Sequence, residues 1–149
     1  MGNIKIGVIG LSRGKEYVRS YTALEGAEIT AVCEKDPALV QAALEIAPEA
    51  GVCETYEELL ESGIDAVVLC NYFHEHARCA IMALEKGISV LSETTAAPTL
   101  GECVALCKAV ENSTGKYMLG ANVPCMYGCS EMDRLYKGGT FGRVLYGEG

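Results

Sequence analysis

The sequence contains no long hydrophobic run and few basic residues. No apolar stretch approaches the roughly 20 residues that a membrane-spanning helix needs. The opening residues, MGNIKIGVIG, enter a strand-like run without the basic region and long apolar segment of a secretory signal. Twelve Lys and Arg stand against 20 Asp and Glu, which gives a formal net charge of −8. We therefore expect neither a membrane nor a nucleic acid as a partner.

The sequence also lacks a Cys-x-x-Cys pair, although it has eight cysteines. The closest pairs are four residues apart, as in Cys103 and Cys107, and no His-rich segment accompanies them. Metal binding is therefore not predicted. Reduced, buried thiols that serve as small apolar residues are predicted instead, and they favour a reducing cytoplasm.

No Gly-x-Ser-x-Gly turn is present, so a hydrolase with a Ser–His–Asp triad is a poor fit. Half of the residues are hydrophobic, which excludes a disordered chain. At 149 residues, without internal repeats or low-complexity linkers, the chain is long enough for one domain with an apolar core.

What the sequence does contain is an alternation of short β-rich runs and segments with helical periodicity. The runs are apolar almost throughout, as in strands that are buried on both faces of a parallel sheet. Repeated βα units predict an α/β fold with a doubly wound parallel sheet, a Rossmann fold, in one three-layer domain over residues 1–122. The predicted strands are 4–10, 28–33, 65–70, 88–93 and 116–120, and the predicted helices are 14–25, 37–46, 56–62, 73–86, 99–113 and 125–137.

Two of the predicted helices carry apolar stripes that we expect to pack on the sheet. One stripe comprises Phe73, Ala77, Ala80, Ile81 and Leu84, and the other comprises Leu100, Cys103, Val104, Cys107 and Val110. The closing stretch KGGTFGRVLYGEG predicts a helix end, a glycine-rich turn and a new strand. Residues 123–149 are therefore expected to be a connecting helix and the first strand of a further, missing domain.

In doubly wound sheets, ligands bind beyond the carboxyl ends of the strands. The first such loop, Gly10-Leu11-Ser12-Arg13-Gly14, departs from G-x-G-x-x-G, because Ser12 holds the second glycine position and Gly14 comes one place early. Ser12 still lets the backbone approach a pyrophosphate, and Arg13 adds positive charge at a helix N-terminus. The loop predicts a phosphate site, with a bare βα turn as the alternative.

Glu34 ends the second predicted strand, 24 residues after Gly10. An acidic side chain at this place can accept hydrogen bonds from both ribose hydroxyls of a dinucleotide, although a solvent-exposed acid is the alternative. Lys35 could neutralise a 2′-phosphate, whereas Glu34 would repel one. The cofactor is therefore predicted to be NAD or NADP, with NAD favoured.

The remaining strand ends supply further polar candidates. Cys70 and Asn71 follow the third predicted strand, and His74 begins a helix there, which suits an N-cap or a ligand contact. His76 is expected to lie on the surface. Glu93-Thr94-Thr95 follows the fourth predicted strand, and Asn122 follows the fifth.

The segments IGVIG, AVCEKDP, NYFHEHARCAIMALEKGISVLSE and GTFGRVLYGEG together resemble the N-terminal half of the Gfo/Idh/MocA oxidoreductases. The resemblance covers essentially the whole chain and is most specific over residues 65–93. It implies a two-domain enzyme that uses NAD(H) or NADP(H) on a sugar, polyol or related compound. The C-terminal domain would supply much of the substrate pocket and the interface of a homo-oligomer.

Site residues follow from the resemblance. It implies that Gly10, Ser12, Arg13 and Gly14 hold the pyrophosphate, that Glu34 binds the adenosine ribose, and that Cys70, Asn71 and His74 line the nicotinamide half. Glu93 matches the acid of the family's Glu-Lys-Pro motif, and Asn122 matches an asparagine after the next strand. Thr94 stands where the family has lysine, so the catalytic residue is left unassigned.

Two functional hypotheses follow. The first is the cofactor-binding domain of an oxidoreductase that transfers hydride, inactive on its own because the second domain is absent. The second is a non-catalytic dinucleotide-binding module that acts as a sensor or protein partner. Members of the family that hydrolyse their substrate through a redox cofactor also exist, and the sequence leaves that chemistry open.

Overall fold

The chain folds into strands and helices that alternate in the predicted order. The computed structural model describes residues 2–148. Its strands are β1 (Ile4–Ile9), β2 (Ala27–Cys33), β3 (Gly51–Cys53), β4 (Ala66–Leu69), β5 (Ser89–Ser92) and β6 (Tyr117–Leu119). Its helices are α1 (Leu11–Thr22), α2 (Pro37–Leu44), α3 (Tyr56–Glu61), α4 (His76–Glu85), α5 (Leu100–Asn112) and α6 (Tyr127–Lys137), with short 3₁₀ turns at Phe73–Glu75 and Val123–Cys125.

The six strands form one parallel sheet in the order β3-β2-β1-β4-β5-β6. The predicted doubly wound α/β sheet is therefore confirmed. Because β1 pairs with β2 on one side and with β4 on the other, the strand order reverses there. Such a reversal opens a crevice at the carboxyl ends of the strands, where ligands bind in folds of this type.

Helices cover both faces of the sheet, which explains why the strands are mostly apolar. On one face α1 and α2 pack over a cluster that includes Val8, Val32 and Val68. On the other face α3, α4 and α5 pack over a cluster that includes Val67 and Leu69. The neighbours Val67 and Val68 point to opposite faces, as successive strand residues do. The three-layer arrangement is thus confirmed.

Two predictions about strands were incomplete or wrong. β3 was not predicted, because its three residues at the sheet edge are too few to give a pattern. The strand predicted in the closing stretch is absent from residues 142–148, which are exposed and unpaired with the sheet. A strand needs a neighbour for its backbone hydrogen bonds, and the described chain offers none there. Gly149 lies outside the described residues, and the domain boundary at residue 122 stays a prediction.

The apolar stripe of α4 is largely confirmed, since Ala77, Ala80 and Leu84 are buried, but Phe73 is exposed. The stripe predicted for α5 is confirmed only at Val110, which packs against the core, and at the half-buried Cys103. Leu100 is 81% exposed, and Val104 and Cys107 also face outwards. The helix packs instead through the row that contains Leu106, Ala109 and Val110, because it lies against α4 as well as the sheet.

Three of the eight cysteines are buried, three are half-buried and two are exposed. Cys33, Cys53 and Cys79 are buried in one apolar cluster, as expected for small apolar residues. Burial raises the pKa of the Cys33 and Cys79 thiols to about 11. Cys107 and Cys125 are exposed, so the prediction of buried thiols is wrong for them.

The described residues offer neither a membrane span nor a metal cluster. The longest helix, α5, has 13 residues, and between residues 2 and 148 no helix is both long and apolar enough to cross a bilayer. Within the same range, no three His, Cys, Asp or Glu side chains come close enough together to hold a metal ion.

Candidate functional site

A cavity of about 590 Å³ lies at the point where the strand order reverses. Six of the predicted site residues line it: Gly10, Ser12, Glu34, Lys35, Cys70 and Asn71. The other five, namely Arg13, Gly14, His74, Glu93 and Asn122, lie outside its lining. A more open depression of about 790 Å³ lies at the opposite end of the sheet, between the last turns of α4 and α5. No predicted site residue lines that depression.

Gly10 is required by the close approach of β1 and β4. Its φ is +82°, and an added Cβ would overlap the carbonyl group of Cys70. Gly10 also precedes α1 and has no side chain to cap it, so apart from the Leu11 N–H, which Glu34 binds, the N–H groups of the first turn have no side-chain cap. The first backbone N–H groups of an uncapped helix lack partners within it and attract anions. In α1 these groups include the N–H of Ser12, which lines the cavity.

Gly14 serves the packing of α1 on the sheet. It is buried, and a Cβ at this position would lie 2.8 Å from Cγ1 of Val8. The absence of a side chain therefore lets the first turn of α1 lie directly on β1. That accounts for a glycine one place earlier than the usual motif spacing, without any contact between Gly14 and the cavity.

Glu34 connects the loop after β2 with the start of α1. Its Oε2 accepts a hydrogen bond from the Leu11 N–H at 2.8 Å. Its Oε1 accepts from the N–H groups of Lys35 at 2.7 Å and Asp36 at 3.2 Å. Because a carboxylate has about four acceptor positions, these bonds leave one free on Oε2. Glu34 can therefore accept one further hydrogen bond from a ligand in the cavity.

Other acidic side chains surround the same cavity. Asp36, Glu54, Glu57 and Glu75 line it together with Glu34, and the cations on the lining are Lys35 and Arg78. Five carboxyl groups against two cations make this lining unfavourable for an additional phosphate group beside Glu34.

Arg13, Glu93 and Tyr17 form a polar cluster that links α1 to the end of β5. Oε1 of Glu93 accepts hydrogen bonds from Tyr17 Oη at 2.7 Å and from Arg13 Nε at 3.1 Å. Burial raises the pKa of the Glu93 carboxyl, but the hydrogen bonds from Tyr17 and Arg13 outweigh it and hold the pKa below its ordinary value. Arg13, predicted to contact pyrophosphate, is thus bound to a carboxylate.

The lowered pKa of Glu93 predicts a pH-dependent contribution to stability. A carboxyl group whose pKa is lower in the folded state than in the unfolded state stabilises the fold at pH values above its unfolded pKa of about 4.3. This stabilisation is lost as the pH falls through the pKa of the folded state. We expect the stability difference between the wild type and Glu93→Gln to be constant above about pH 5 and to vanish in stronger acid. Urea denaturation at a series of pH values measures it, and a difference that does not shrink as the pH falls below the unfolded value would contradict the assignment.

The two histidines occupy different environments from those predicted. His74 is exposed and contacts the rings of Tyr72 and Phe73, outside the cavity lining. The surface position expected for His76 is wrong, because only 1% of this residue is exposed. Its two ring nitrogens lie 2.9 Å from the carbonyl oxygen of Thr95 and 3.0 Å from that of Asn71.

The remaining candidates lie at the carboxyl edge of the sheet. Thr94 and Asn122 are exposed, and neither side chain offers a group for proton transfer near neutral pH. Burial, followed by the charge of Glu93, raises the pKa of Cys70 to about 12. Cys70 therefore remains a neutral thiol, and none of these three residues supplies an obvious catalytic group.

Sequence reasoning missed several residues of this region. Tyr17 lies one helical turn after Arg13, a spacing that places both side chains on one face of α1. His76 shares a face with Ala80 and Leu84, at the same four-residue spacing. Both could have been found from helical periodicity. Glu54 and Glu57 carried no signal, because Glu54 follows the unpredicted strand β3, and Glu57 lies in the first turn of α3, where acidic residues are common without any ligand.

A reversed strand order, a glycine-rich turn at a helix N-terminus and an acid at the end of β2 define a dinucleotide-binding Rossmann domain. Residues 4–121 match the family model described as "Oxidoreductase family, NAD-binding Rossmann fold", GFO_IDH_MocA. The chain therefore belongs to the Gfo/Idh/MocA oxidoreductase family, as the resemblance implied.

Individual relatives agree with this assignment. The chain is 28% identical to a glycosyl hydrolase family 109 protein of Shewanella woodyi, with 99% of this chain and 34% of that protein aligned. It is 31% identical to an alpha-N-acetylgalactosaminidase of Shewanella oneidensis, with 97% and 34% aligned. The chain thus spans about a third of the curated relatives it matches.

A solved structure shows the same fold. Scyllo-inositol dehydrogenase of Lactobacillus casei, with NAD(H) and scyllo-inositol bound, superimposes with a TM-score of 0.89 at 23% identity. The superposition covers 95% of this chain and 43% of that one. The family model and this fold make the chain an NAD-binding Rossmann domain of the Gfo/Idh/MocA family.

Proposed function

We propose that this chain is the NAD(H)-binding part of an enzyme that acts on a sugar, polyol or related hydroxy compound. The observation that supports the proposal most directly is the cavity at the switch point, with Gly10, Ser12 and Glu34 on its lining. NAD, when bound, supplies a hydride acceptor. The residues of this chain would bind and orient it.

The chemistry of the lining fits a dinucleotide. Beyond the Leu11 N–H, which Glu34 binds, the next N–H groups of α1, those of Ser12 and Arg13, suit a pyrophosphate. The free acceptor position on Glu34 suits a ribose hydroxyl of the adenosine half. The loops after β1 and β2 would thus hold the adenosine and pyrophosphate, and the loops after β4 and β5 would face the nicotinamide half.

The charges around the cavity support NAD rather than NADP. Glu34, Asp36, Glu54 and Glu57 come from the loops on the adenosine side, and a 2′-phosphate would add a dianion among them. Lys35 alone would not neutralise that charge. We therefore expect the ratio of NADH affinity to NADPH affinity to be larger than the charge of Glu34 alone would produce.

The substrate class is supported by the relatives. A named glycosidase at 31% identity and an inositol dehydrogenase with the same fold both act on ring compounds rich in hydroxyl groups. Redox-assisted hydrolysis of a glycoside is a second candidate function. The sequence relatives named as glycosyl hydrolases favour this second function. Thr94 favours it as well, because it stands where the family's oxidoreductases have a lysine beside the cofactor. In either case the catalytic acid and base would come from residues beyond this chain.

Cofactor titration tests the proposal. We expect NADH to bind the isolated chain with a dissociation constant below about 1 mM, roughly −4 kcal/mol, and NADPH to bind at least tenfold more weakly. Calorimetry with NADH, NADPH and ADP measures both affinities. No heat and no thermal stabilisation with any of the three, at millimolar concentration, would reject the proposal.

Self-association is a further expectation. The part of the chain after β5 exposes apolar side chains over α5, β6 and α6, including Leu100, Met118, Val123, Met126 and Tyr127. Large exposed apolar patches mark interaction surfaces, and we propose that they contribute to a homo-oligomer in the complete protein. Light scattering on the isolated chain should report dimers or larger species as the concentration rises. A monomer at every concentration would contradict this.

We also propose a cytoplasmic location. The support is the set of eight free cysteines, three of them in the core, which suits a reducing compartment.

A further inference from the structure

His76 is a buried polar side chain at a junction between two loops. Among the described residues, His76 and Ser92 are buried although their side chains are polar: 1% and 0% of their surfaces are exposed. His76 is the first residue of α4, and both of its ring nitrogens contact backbone oxygens. These oxygens belong to Asn71, after β4, and to Thr95, after β5. The imidazole is therefore the spacer between two neighbouring strand ends.

Ring chemistry makes this contact specific. A neutral imidazole has one N–H and can donate to one carbonyl, whereas the cationic ring donates to both. Leaving a buried donor or acceptor without a partner costs about 1–3 kcal/mol. An apolar residue of the same size could fill the space but could hold neither carbonyl. The geometry thus points to a role in fixing the loops rather than in filling the core.

Each loop that His76 holds carries residues of the candidate site. Asn71 lines the cavity, and its amide also lies 3.3 Å from a carboxylate oxygen of Glu75. Thr95 follows Glu93, which is bonded to Arg13 and Tyr17 of α1. A continuous set of contacts therefore runs from α1 through the β5 loop and His76 to the β4 loop.

We propose that His76 is a positioning residue that sets the gap between the β4 and β5 loops for the nicotinamide half of the cofactor. The inference rests on the proposed function, because it assumes that a dinucleotide binds across this edge. The adenosine half would contact Gly10 and Glu34, and His76 bonds to neither of their loops. Loss of His76 therefore weakens NADH far more than ADP, which lacks the nicotinamide half.

The experiment compares the affinities for NADH and ADP in His76→Phe, which keeps a ring of similar size without nitrogen atoms. We expect NADH to bind about tenfold more weakly, equivalent to about 1.4 kcal/mol, and ADP to change less than twofold. His76→Gln, whose amide can still donate to one carbonyl, should fall between His76→Phe and the wild type. Equal weakening of both ligands, or none of either, would overturn the proposal.

Leu84→Ala is the matched control for lost stability. Leu84 is 1% exposed on the same helix, at the end away from the two loops. Its truncation should lower the melting temperature and leave the ratio of NADH to ADP affinity unchanged. A similar change in that ratio in Leu84→Ala would show that general destabilisation is the cause, and would refute the assignment to His76.

A measurement on the wild type covers the case in which the variants do not fold. The chain has only two histidines, so NMR signals of the two rings are readily distinguished. NADH should shift the His76 ring signals, and ADP should leave them nearly unchanged. Unchanged His76 signals with NADH bound would overturn the proposal. If the wild type binds neither ligand, the proposed function itself fails, which is a separate outcome.

Discussion

The Gly10→Ala variant is expected to lose roughly 2–5 kcal/mol of folding free energy and all measurable NADH binding. A left-handed conformation costs a non-glycine residue about 1–2 kcal/mol, and overpacking adds about 1–3 kcal/mol. Both apply here, because φ is +82° and the new Cβ would overlap the Cys70 carbonyl. Relieving that overlap moves β1 away from β4 and distorts the first turn of α1. Urea denaturation and NADH calorimetry measure the two effects.

Gly26→Ala provides the matched control. Gly26 has a φ of +85°, but an added Cβ there would have no neighbour within 4 Å. It should therefore cost only the conformational strain, about 1–2 kcal/mol, and leave NADH binding intact. Equal destabilisation by the two variants would show that the contact with Cys70 is unimportant. Normal NADH binding by Gly10→Ala would show that this loop does not hold the cofactor.

The Glu34→Gln variant is expected to weaken NADH binding by about tenfold and to raise the NADPH-to-NADH affinity ratio by at least tenfold. Hydrogen bonds to charged groups contribute about 1.5–3 kcal/mol, and the amide keeps part of this through its remaining oxygen. Removing the charge also removes repulsion of a 2′-phosphate. Calorimetry with both cofactors tests the ratio.

Glu28→Gln removes the same charge from the same strand, β2, at an exposed position outside the cavity lining. Its cofactor ratio should equal that of the wild type. A ratio in Glu34→Gln that stays at the wild-type value would mean that Glu34 does not face the ribose. A change of similar size in Glu28→Gln would mean that the overall charge, rather than contact, sets the preference.

Hydrophobic patterning predicted the fold well because the sheet is covered on both faces. Five of the six strands are predominantly apolar runs, and such runs need no knowledge of tertiary contacts to be recognised. The strand β3 was not predicted, because three residues at the edge of the sheet are too few to show a hydrophobic pattern. The closing strand is not formed among the described residues, because a strand is completed by its partner and a local pattern does not reveal whether one is available.

The site was predictable only in part. Gly10 and Glu34 stand at strand ends, where topology alone brings them to one cavity. The bonding of Arg13 to Glu93 joins residues 80 positions apart, and no spacing rule foresees it. The surface position predicted for His76 was wrong, because this polar residue lies on the buried face of α4. A buried polar residue becomes intelligible only when its hydrogen-bond partners are known.

The division of the cysteines has a consequence for oxidative damage. Oxidants attack the thiolate, and a pKa of about 11 leaves roughly one in 10⁴ of the Cys33 and Cys79 thiols ionised at pH 7. The fold therefore shields these two thiols twice, by low reactivity and by lack of access. Peroxide would first reach Cys107 and Cys125 on the surface, where sulfenic acid formation leaves the packed interior unchanged.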